Sequence, residues 1–479
     1  MSGTDISLAK RTRARGRKVK TGCHTCKARH VKCDEAKPAC LKCSSSGRTC
    51  DGYGTVLVSL EEALAAVDSL PRPFRNKQER RCFEHFRHRA VPELLGYDRG
   101  PGFWNGLVLQ LSQCSPAVMH AMLALSTLYE VLHTPTAKES TENGRLFLQQ
   151  YNKAIRLLCS PQSTESVESI LSCCILFICL ENFRGNHEIA LNHLRNGLKI
   201  LHDWRLKEGL LASERSIQEV IVCIFRRLDI QATTFLDSRK PELDITLAFG
   251  GPTQPYCYST ESFANLHEAK ICLDNILIRL LYTLTSVKSP RQHSPLPGQQ
   301  NRMVSARRDV LQGLAAPLSQ WKEAFDDIVM REESNMETKD LQLSVLLALH
   351  HQTMSLMLQI RVNESSDAQS QTVIDDAQFE KTIHLSKSLI NSSSATQENS
   401  YAADSGVIAP LYFTAMNASN PHLRQQAIEL LRLVKWKEGF WEAEVAATIA
   451  ENILYIAQNG IKGIMVTGGI PELAKLHCF

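Results

Sequence analysis

The sequence predicts a mostly α-helical chain, with a small metal-held module at the N-terminal end and a large all-helical body behind it. Three observations predict this. Six cysteines between Cys23 and Cys50 form two matching halves, Cys-x2-Cys-x6-Cys, joined by a six-residue gap. Positive charge is gathered on the same stretch. From about residue 76 onward, apolar residues recur at three- and four-residue steps and strand-like alternation is scarce.

The cysteines come first. Thiolates two residues apart chelate one soft metal ion, and the longer gap lets a helical turn form before the chain returns with the next ligand. Two tetrahedral ions held separately need more ligands than six cysteines supply. Cys23, Cys26, Cys33, Cys40, Cys43 and Cys50 suffice if two sulfurs bridge both ions, so a two-zinc, six-thiolate cluster is the natural reading. Every coordination position is then filled by sulfur. A catalytic zinc keeps one position open for water, so this site is structural and no enzyme is expected here.

Charge isolates the same end. Of the 54 Lys and Arg residues, 13 lie within the first 50 positions against 3 acidic residues, giving +10 there and −6 over the remainder. A basic module on a mildly acidic body suits a polyanion bound at one end only. Residues 1–20 form a basic, flexible arm, its Lys10–Lys20 run serving as a nuclear import signal or as a phosphate-tracking segment. Residues 21–54 are the cluster, with Pro38 in the loop joining its halves and Gly47 giving a turn in the second.

Residues 55–75 are a linker whose Leu60, Leu64, Val67 and Leu70 make a short apolar stripe, too short to hold a dimer alone. Residues 76–479 are the helical body. Ser115-Pro116 caps a helix carrying Met119, Met122, Leu123 and Leu132. Another runs from about Thr164 to Phe183, and a third carries Leu191, Leu194, Leu198 and Leu201. Further amphipathic stretches cover roughly 213–236, 262–287, 303–329, 339–362, 422–434 and 443–458. Polar or proline-rich loops fall at 290–298, 365–371 and 392–400.

The cluster resembles that of the fungal binuclear zinc-cluster transcription factors. All five cysteine spacings agree, Pro38 falls at the loop proline, and the basic run Lys-Ala-Arg-His-Val-Lys lies between Cys26 and Cys33. The resemblance implies that Cys23 and Cys40 bridge. One zinc then takes Cys23, Cys26, Cys33 and Cys40, and the other Cys40, Cys43, Cys50 and Cys23. It also implies recognition of CGG-type triplets in the major groove of double-stranded DNA. The position of the family's base-reading lysine, four residues after the second cysteine, holds His30 here. A neutral imidazole donates or accepts a single hydrogen bond at a base edge. Lys20, Lys27, Arg29, Lys32 and Lys42 are the accompanying phosphate or base contacts.

The body is similar to the helical regulatory domain that follows such clusters. The likeness rests on Phe103-Trp104 with Leu109 and Leu111, the Ala190–Leu201 helix, Gly406–Phe413 and the Arg424–Leu433 helix. It implies a nuclear regulator of RNA polymerase II genes that contacts the transcription machinery. Pairing of two copies and binding of a small-molecule effector are both permitted, the latter in a cavity lined by the Met- and Leu-rich helix at 339–362. The alternative reading is a non-specific nucleic-acid or protein-interaction adaptor.

Little else in the sequence carries chemistry. The chain is 479 residues long and 43% hydrophobic, enough for a large core. The ten cysteines outside the cluster read as buried free thiols in a reducing compartment. The polar start shows no signal peptide, and the longest apolar run, Ile170 to Leu180, is too short to span a bilayer. A soluble, intracellular protein with no membrane partner is therefore expected. Walker, Gly-x-Gly-x-x-Gly, Gly-x-Ser-x-Gly and His-Glu-x-x-His motifs are missing. His187 and His193, and the pair His350-His351, lack the spacing of a helical metal site and read as core or surface residues. His85 and His88, beside Arg87 and Arg89, read as a solvated face.

Overall fold

A computed structural model describes residues 22–34, 36, 39–50, 77–98, 102–133, 137–205, 212–235, 241–242, 262–286, 309, 311–364, 374–392 and 400–458. The arm with Lys20, Pro38, the 56–70 stripe and the 290–298 and 365–371 loops lie outside the described residues. The chain divides into two units, Met1–Val56 with Glu208–Glu219, and Leu57–Lys207 with Val220–Phe479.

Among the described residues of the first unit are two short helices, α1 (His24–Ala28) and α2 (Leu41–Ser44). In the second unit come α3 (Lys77–His85), a π-turn at Phe86–Ala90, α4 (Val91–Leu95), a second π-turn at Phe103–Leu107 and α5 (Val108–Cys114). Then follow α6 (Pro116–His133), α7 (Ala137–Cys159), α8 (Val167–Phe183), α9 (His187–Arg205) and α10 (Ala212–Phe235, in this unit from Val220). The series continues with α11 (Leu266–Ser286), α12 (Ala315–Glu332), α13 (Thr338–Glu364), α14 (Asp376–Ser392), α15 (Ile408–Asn417), α16 (Pro421–Leu433) and α17 (Ala443–Gln458). The chain is mostly helical, as its periodicity predicts. The helices α3, α4, α5, α7, α14 and α15 had no counterpart among the predicted stretches.

Local signals explain the helix ends. Ser115 Oγ accepts from the Val118 N–H at 3.1 Å and donates to Glu165 at 2.6 Å, so the Ser-Pro pair does start α6. Ser166 Oγ caps α8, and Asn420 with Pro421 starts α16. Helix α8 is buried nearly all round from Leu171 to Phe183, as the apolar run requires. A second core gathers on Trp321 between α11, α12 and α13. Its ring stacks on Phe325 at 4.7 Å and on His351 at 5.3 Å, and its Nε1 donates to the Ala269 carbonyl at 2.8 Å.

Among the described residues, three two-residue strands interrupt the helices. β1 (Tyr401–Ala402) pairs parallel with β2 (Lys437–Glu438), which pairs antiparallel with β3 (Trp441–Glu442). The buried Glu438 carboxylate then caps α15. Its Oε2 accepts from the N–H groups of Gly406 and Ile408 at 2.9 and 3.0 Å, and its Oε1 from Val407 N–H at 3.0 Å and Trp436 Nε1 at 2.9 Å. Burial raises this carboxyl above its ordinary range, and the four donors act against that. Only glycine fits at 406, because a Cβ would stand 2.3 Å from Glu438 Oε1.

A buried ion network ties distant segments. Arg227 reaches Asp98 at 3.3 Å, Asp274 at 3.0 Å and Asp404 at 3.5 Å, while Lys270 reaches Asp274 at 3.6 Å and Asp404 at 3.2 Å. His267 Nδ1 lies 2.9 Å from Asp98. Burial alone would raise the carboxyls of Asp98 and Asp274, yet the surrounding cations outweigh it and hold both below the usual range.

Several smaller expectations meet the structure here. His350 and His351 face the carbonyls of Gly406 and Leu318 and are core histidines. His85 is half-buried against Ser126 Oγ at 3.2 Å, so the solvated face is confined to His88 and Arg89. Cys82, Cys173 and Cys179 are buried free thiols, Cys114 and Cys159 are exposed ones, and Cys272 departs from the pattern in being disulfide-bonded. Among the described residues, no helix is long and apolar enough to cross a membrane.

Candidate metal centre

Each half of the cysteine stretch builds the same local structure. Cys23 and Cys40 sit in extended backbone just before α1 and α2, and their sulfurs accept the N–H of Cys26 and Cys43, each at 3.3 Å. A cysteine here does the work of a serine N-cap, with sulfur as the acceptor. The two-residue spacing thus sets both sulfurs of each pair on one side of a helical turn. Beyond α1, His30 N–H returns to Lys27 O at 3.1 Å and Val31 N–H to Cys26 O at 3.0 Å. Beyond α2, Gly47 N–H returns to Ser44 O at 3.2 Å and Arg48 N–H to Cys43 O at 3.1 Å. These are equivalent Schellman-type closures, and each needs a left-handed residue. Gly47 fills that place in the second half with φ +64°, whereas His30 fills it in the first with φ +52°. His30 is the one non-glycine residue with positive φ among the described residues.

The halves meet through sulfur. Cys23 Sγ lies 3.6 Å from Cys40 Sγ and 3.8 Å from Cys43 Sγ, and Cys26 Sγ lies 3.6 Å from Cys40 Sγ and 3.9 Å from Cys43 Sγ. A tetrahedral zinc with thiolate ligands at about 2.3 Å has an edge of about 3.8 Å, so these separations fit the donor set. Cys33 Sγ accepts from Cys23 N–H at 3.5 Å and lies within 4.8 Å of Cys40, and Cys50 packs against the others. All six cysteines are therefore brought together, although the tightest quartet is Cys23, Cys26, Cys40 and Cys43, a set that crosses the two inferred ligand groups. Non-bridging thiolates on opposite ions of a shared-edge pair stand about 5 Å apart, so two ions require the Cys26–Cys43 edge to open. Burial pushes the Cys40 thiol up to about 12 and raises Cys23 and Cys26 as well. A thiolate among such neighbours needs a cation beside it, and a soft divalent ion supplies one.

The remaining candidates surround this core. Lys27, His30, Lys32 and Lys42 are exposed, and Lys20 lies outside the described residues. Arg29 is half-buried, and its guanidinium donates to Ser46 Oγ at 3.1 Å, joining the first half to the second. Two residues escaped sequence reasoning. Arg48 adds an exposed cation at the end of the second closure. Asp34, next to Cys33, accepts the N–H groups of Leu41 and Lys42 at 3.0 and 3.1 Å, and the Leu41 bond foremost lowers its pKa. A small acidic residue ahead of a helix start was the available signal.

A match to the fungal specific transcription factor domain covers residues 81–453. The chain belongs to that family. A second match, to the fungal Zn(2)-Cys(6) binuclear cluster domain, covers residues 21–55 and contains all six cysteines. This member of the fungal specific transcription factor family thus carries, ahead of the helical domain, a stretch matched as a zinc-cluster domain. It is 31% identical over 255 residues to the aspercryptin biosynthesis cluster-specific transcription regulator atnN of Emericella nidulans, covering 47% of this chain and 41% of that one. It is also 31% identical over 204 residues to the transcription regulator lscL of Purpureocillium lilacinum, covering 38% and 49%. A shorter stretch of 37 residues is 57% identical to the transcriptional regulatory protein moc3 of Schizosaccharomyces pombe, 8% of this chain and 7% of that one. The matched stretches thus span less than half of each of these relatives. No solved structure matches the family member described here.

Proposed function

We propose that this chain regulates RNA polymerase II genes in the nucleus by reading CGG-type triplets through a two-zinc module. The observation that carries the reading is the convergence of six cysteine sulfurs beside α1, with its exposed Lys27, and the turn after it, with exposed His30. Cys23, Cys26, Cys33, Cys40, Cys43 and Cys50 hold the ions, which fix the fold of a module too small to be held by its own apolar core. Lys20, Lys27, Arg29, Lys32 and Lys42 supply affinity through phosphates, and His30 supplies base choice. The helical body of residues 76–479 contacts the transcription machinery, pairs two copies and takes a small-molecule effector. The compact Cys23, Cys26, Cys40 and Cys43 quartet favours a second reading, a single four-thiolate zinc.

Metal analysis separates the two. Two zincs per chain, one of them lost in Cys50→Ser, support the binuclear cluster; one zinc, unaffected by Cys50→Ser, supports the quartet. Selection from a random duplex pool tests the function. Enrichment of a CGG-containing motif, abolished by a chelator and by Cys40→Ser, is expected. Metal-independent binding would sink the mechanism, and binding without an enriched motif would make the chain a non-specific adaptor.

A further inference from the structure

Within the second unit, α10 from Arg227 on, α11, α13 and α15 line a cavity of about 360 Å³. Pockets that take a small molecule run from about 300 to 1,000 Å³. Most of the wall is apolar, with Leu277, Leu281, Met357, Phe413, Met416 and Trp441 among the lining side chains. Methionines in such a wall adapt to the shape of a guest.

The charged lining, Arg361 apart, is gathered in one place. Arg227, Lys270, Asp274 and Asp404 all face the cavity, and they are bonded to one another in the network described above. His350 joins them. Its Nε2 lies 2.9 Å from the Gly406 carbonyl and so carries the proton, which leaves Nδ1 as an acceptor. Burial lowers its pKa, which keeps the ring neutral. An apolar body with one polar end is the shape of guest that such a wall selects.

Charge narrows the guest further. Arg227 and Lys270 stand against three carboxylates, Asp98, Asp274 and Asp404, two positive charges against three negative ones. Both cations are already paired, and Arg361, the third lining cation, is engaged as well. A guest carboxylate would add negative charge to a buried cluster with no cation to spare. A hydroxyl head instead donates to Asp404 or Asp274 while its oxygen accepts from Lys270, and a protonated amine head donates to the same carboxylates.

We propose that the cavity binds a non-anionic amphiphile, an aliphatic body ending in a hydroxyl or amine, with its head on the Asp404 side of the ion network. This rests on the reading that the helical body takes an effector, and it names the site and the chemical class. Occupancy would bear directly on α15, because Ala409, Phe413 and Met416 of that helix line the cavity.

The test is calorimetric titration of the full, zinc-loaded chain with decan-1-ol, decylamine and decanoate, each below its micelle concentration. The alcohol and the amine are expected to bind at least tenfold more tightly than decanoate. Asp404→Asn removes one carboxylate from the head's own seat and should raise decanoate affinity about tenfold relative to decan-1-ol. Ala409→Phe fills the cavity and should abolish binding of decan-1-ol; thermal unfolding and duplex binding confirm that the variant is folded. Equal binding of all three probes, decanoate binding most tightly, an unchanged selectivity in Asp404→Asn, or undiminished binding to folded Ala409→Phe would each overturn the proposal. Titration is blind to transcription. Selective binding with no change in duplex affinity or reporter output would leave the site standing and remove the effector reading alone.

Discussion

Replacing His30 by glycine should strengthen the metal module and weaken its sequence choice at the same time. His30 holds the left-handed place that closes α1, with φ +52°, and the equivalent place after α2 is already Gly47. A non-glycine residue in that region costs about 1–2 kcal/mol. Glycine gives back roughly 0.5–1 kcal/mol through the freedom it loses on folding. The net gain is about 0.5–1 kcal/mol. In a module whose folding and metal binding are one event, that is about a two- to fivefold rise in zinc affinity. The imidazole offers a single base-edge bond, so its loss should cost about 1 kcal/mol of discrimination, the low end of the range for base contacts. A competing chelator reads the first quantity. The ratio of affinities for a CGG duplex and a scrambled one, at fixed salt, reads the second. His30→Ala keeps the backbone strain, so it should lose discrimination without the gain in zinc affinity. Weaker zinc binding in His30→Gly, with an equal fall on both duplexes, would show that His30 serves the fold and not the reading of bases.

Two further outcomes are expected in the helical body. Glu438→Gln keeps the shape of the side chain but turns an NH2 group on two N–H donors, whichever way the amide is placed. Two charge-assisted bonds at about 1.5–3 kcal/mol each are lost, so exchange of the Gly406–Ile408 amides should accelerate at least a hundredfold; a change under tenfold would refute the capping role. Asp98→Asn breaks a buried pair and should destabilise by about 3–5 kcal/mol at neutral pH. Because the folded Asp98 pKa is depressed, its contribution is complete above the unfolded value of about 3.9 and fades as pH falls below it. The gap between variant and parent in urea unfolding should therefore be flat from neutral pH down to about pH 5 and shrink in stronger acid; a gap that widens in acid would reverse the assignment.

The parts legible in the sequence are those encoded by near neighbours. Cysteine spacing announces the metal module because each half is a local structure, with capping sulfur and closing turn within eight residues of one another. Ser115-Pro116 and the Ile170–Leu180 run work for the same reason. Helix α7 was missed because the sequence of its first third, Ala137–Gly144, is polar, while Leu146, Phe147 and Ala154 are buried further along. Helix α14 was missed because Phe379, Ile383 and Leu389 are its few buried apolar residues in a polar stretch. The ion network is invisible in the sequence, since Arg227 finds partners 129 and 177 positions away. Asp404 would pass for an ordinary loop acid. Its place is fixed by the strands beside it, each only two residues long and without a pattern of its own.

Those short strands make residues 401–408 a junction that the chain can finish only at its far end. Ala403 N–H bonds to Leu94 O at 3.2 Å, Tyr129 donates to Tyr401 O at 2.5 Å, and Gln231 donates to Ala403 O at 2.8 Å. Then Lys437 and Glu438 complete the ladder and the cap. Four separate stretches, the earliest more than three hundred residues before the latest, must be present together for one loop to close. The helical body is therefore not a string of detachable repeats. A premature stop anywhere before residue 438 would leave the nascent helices made and their junction open, a chain for the quality-control proteases and not a smaller regulator.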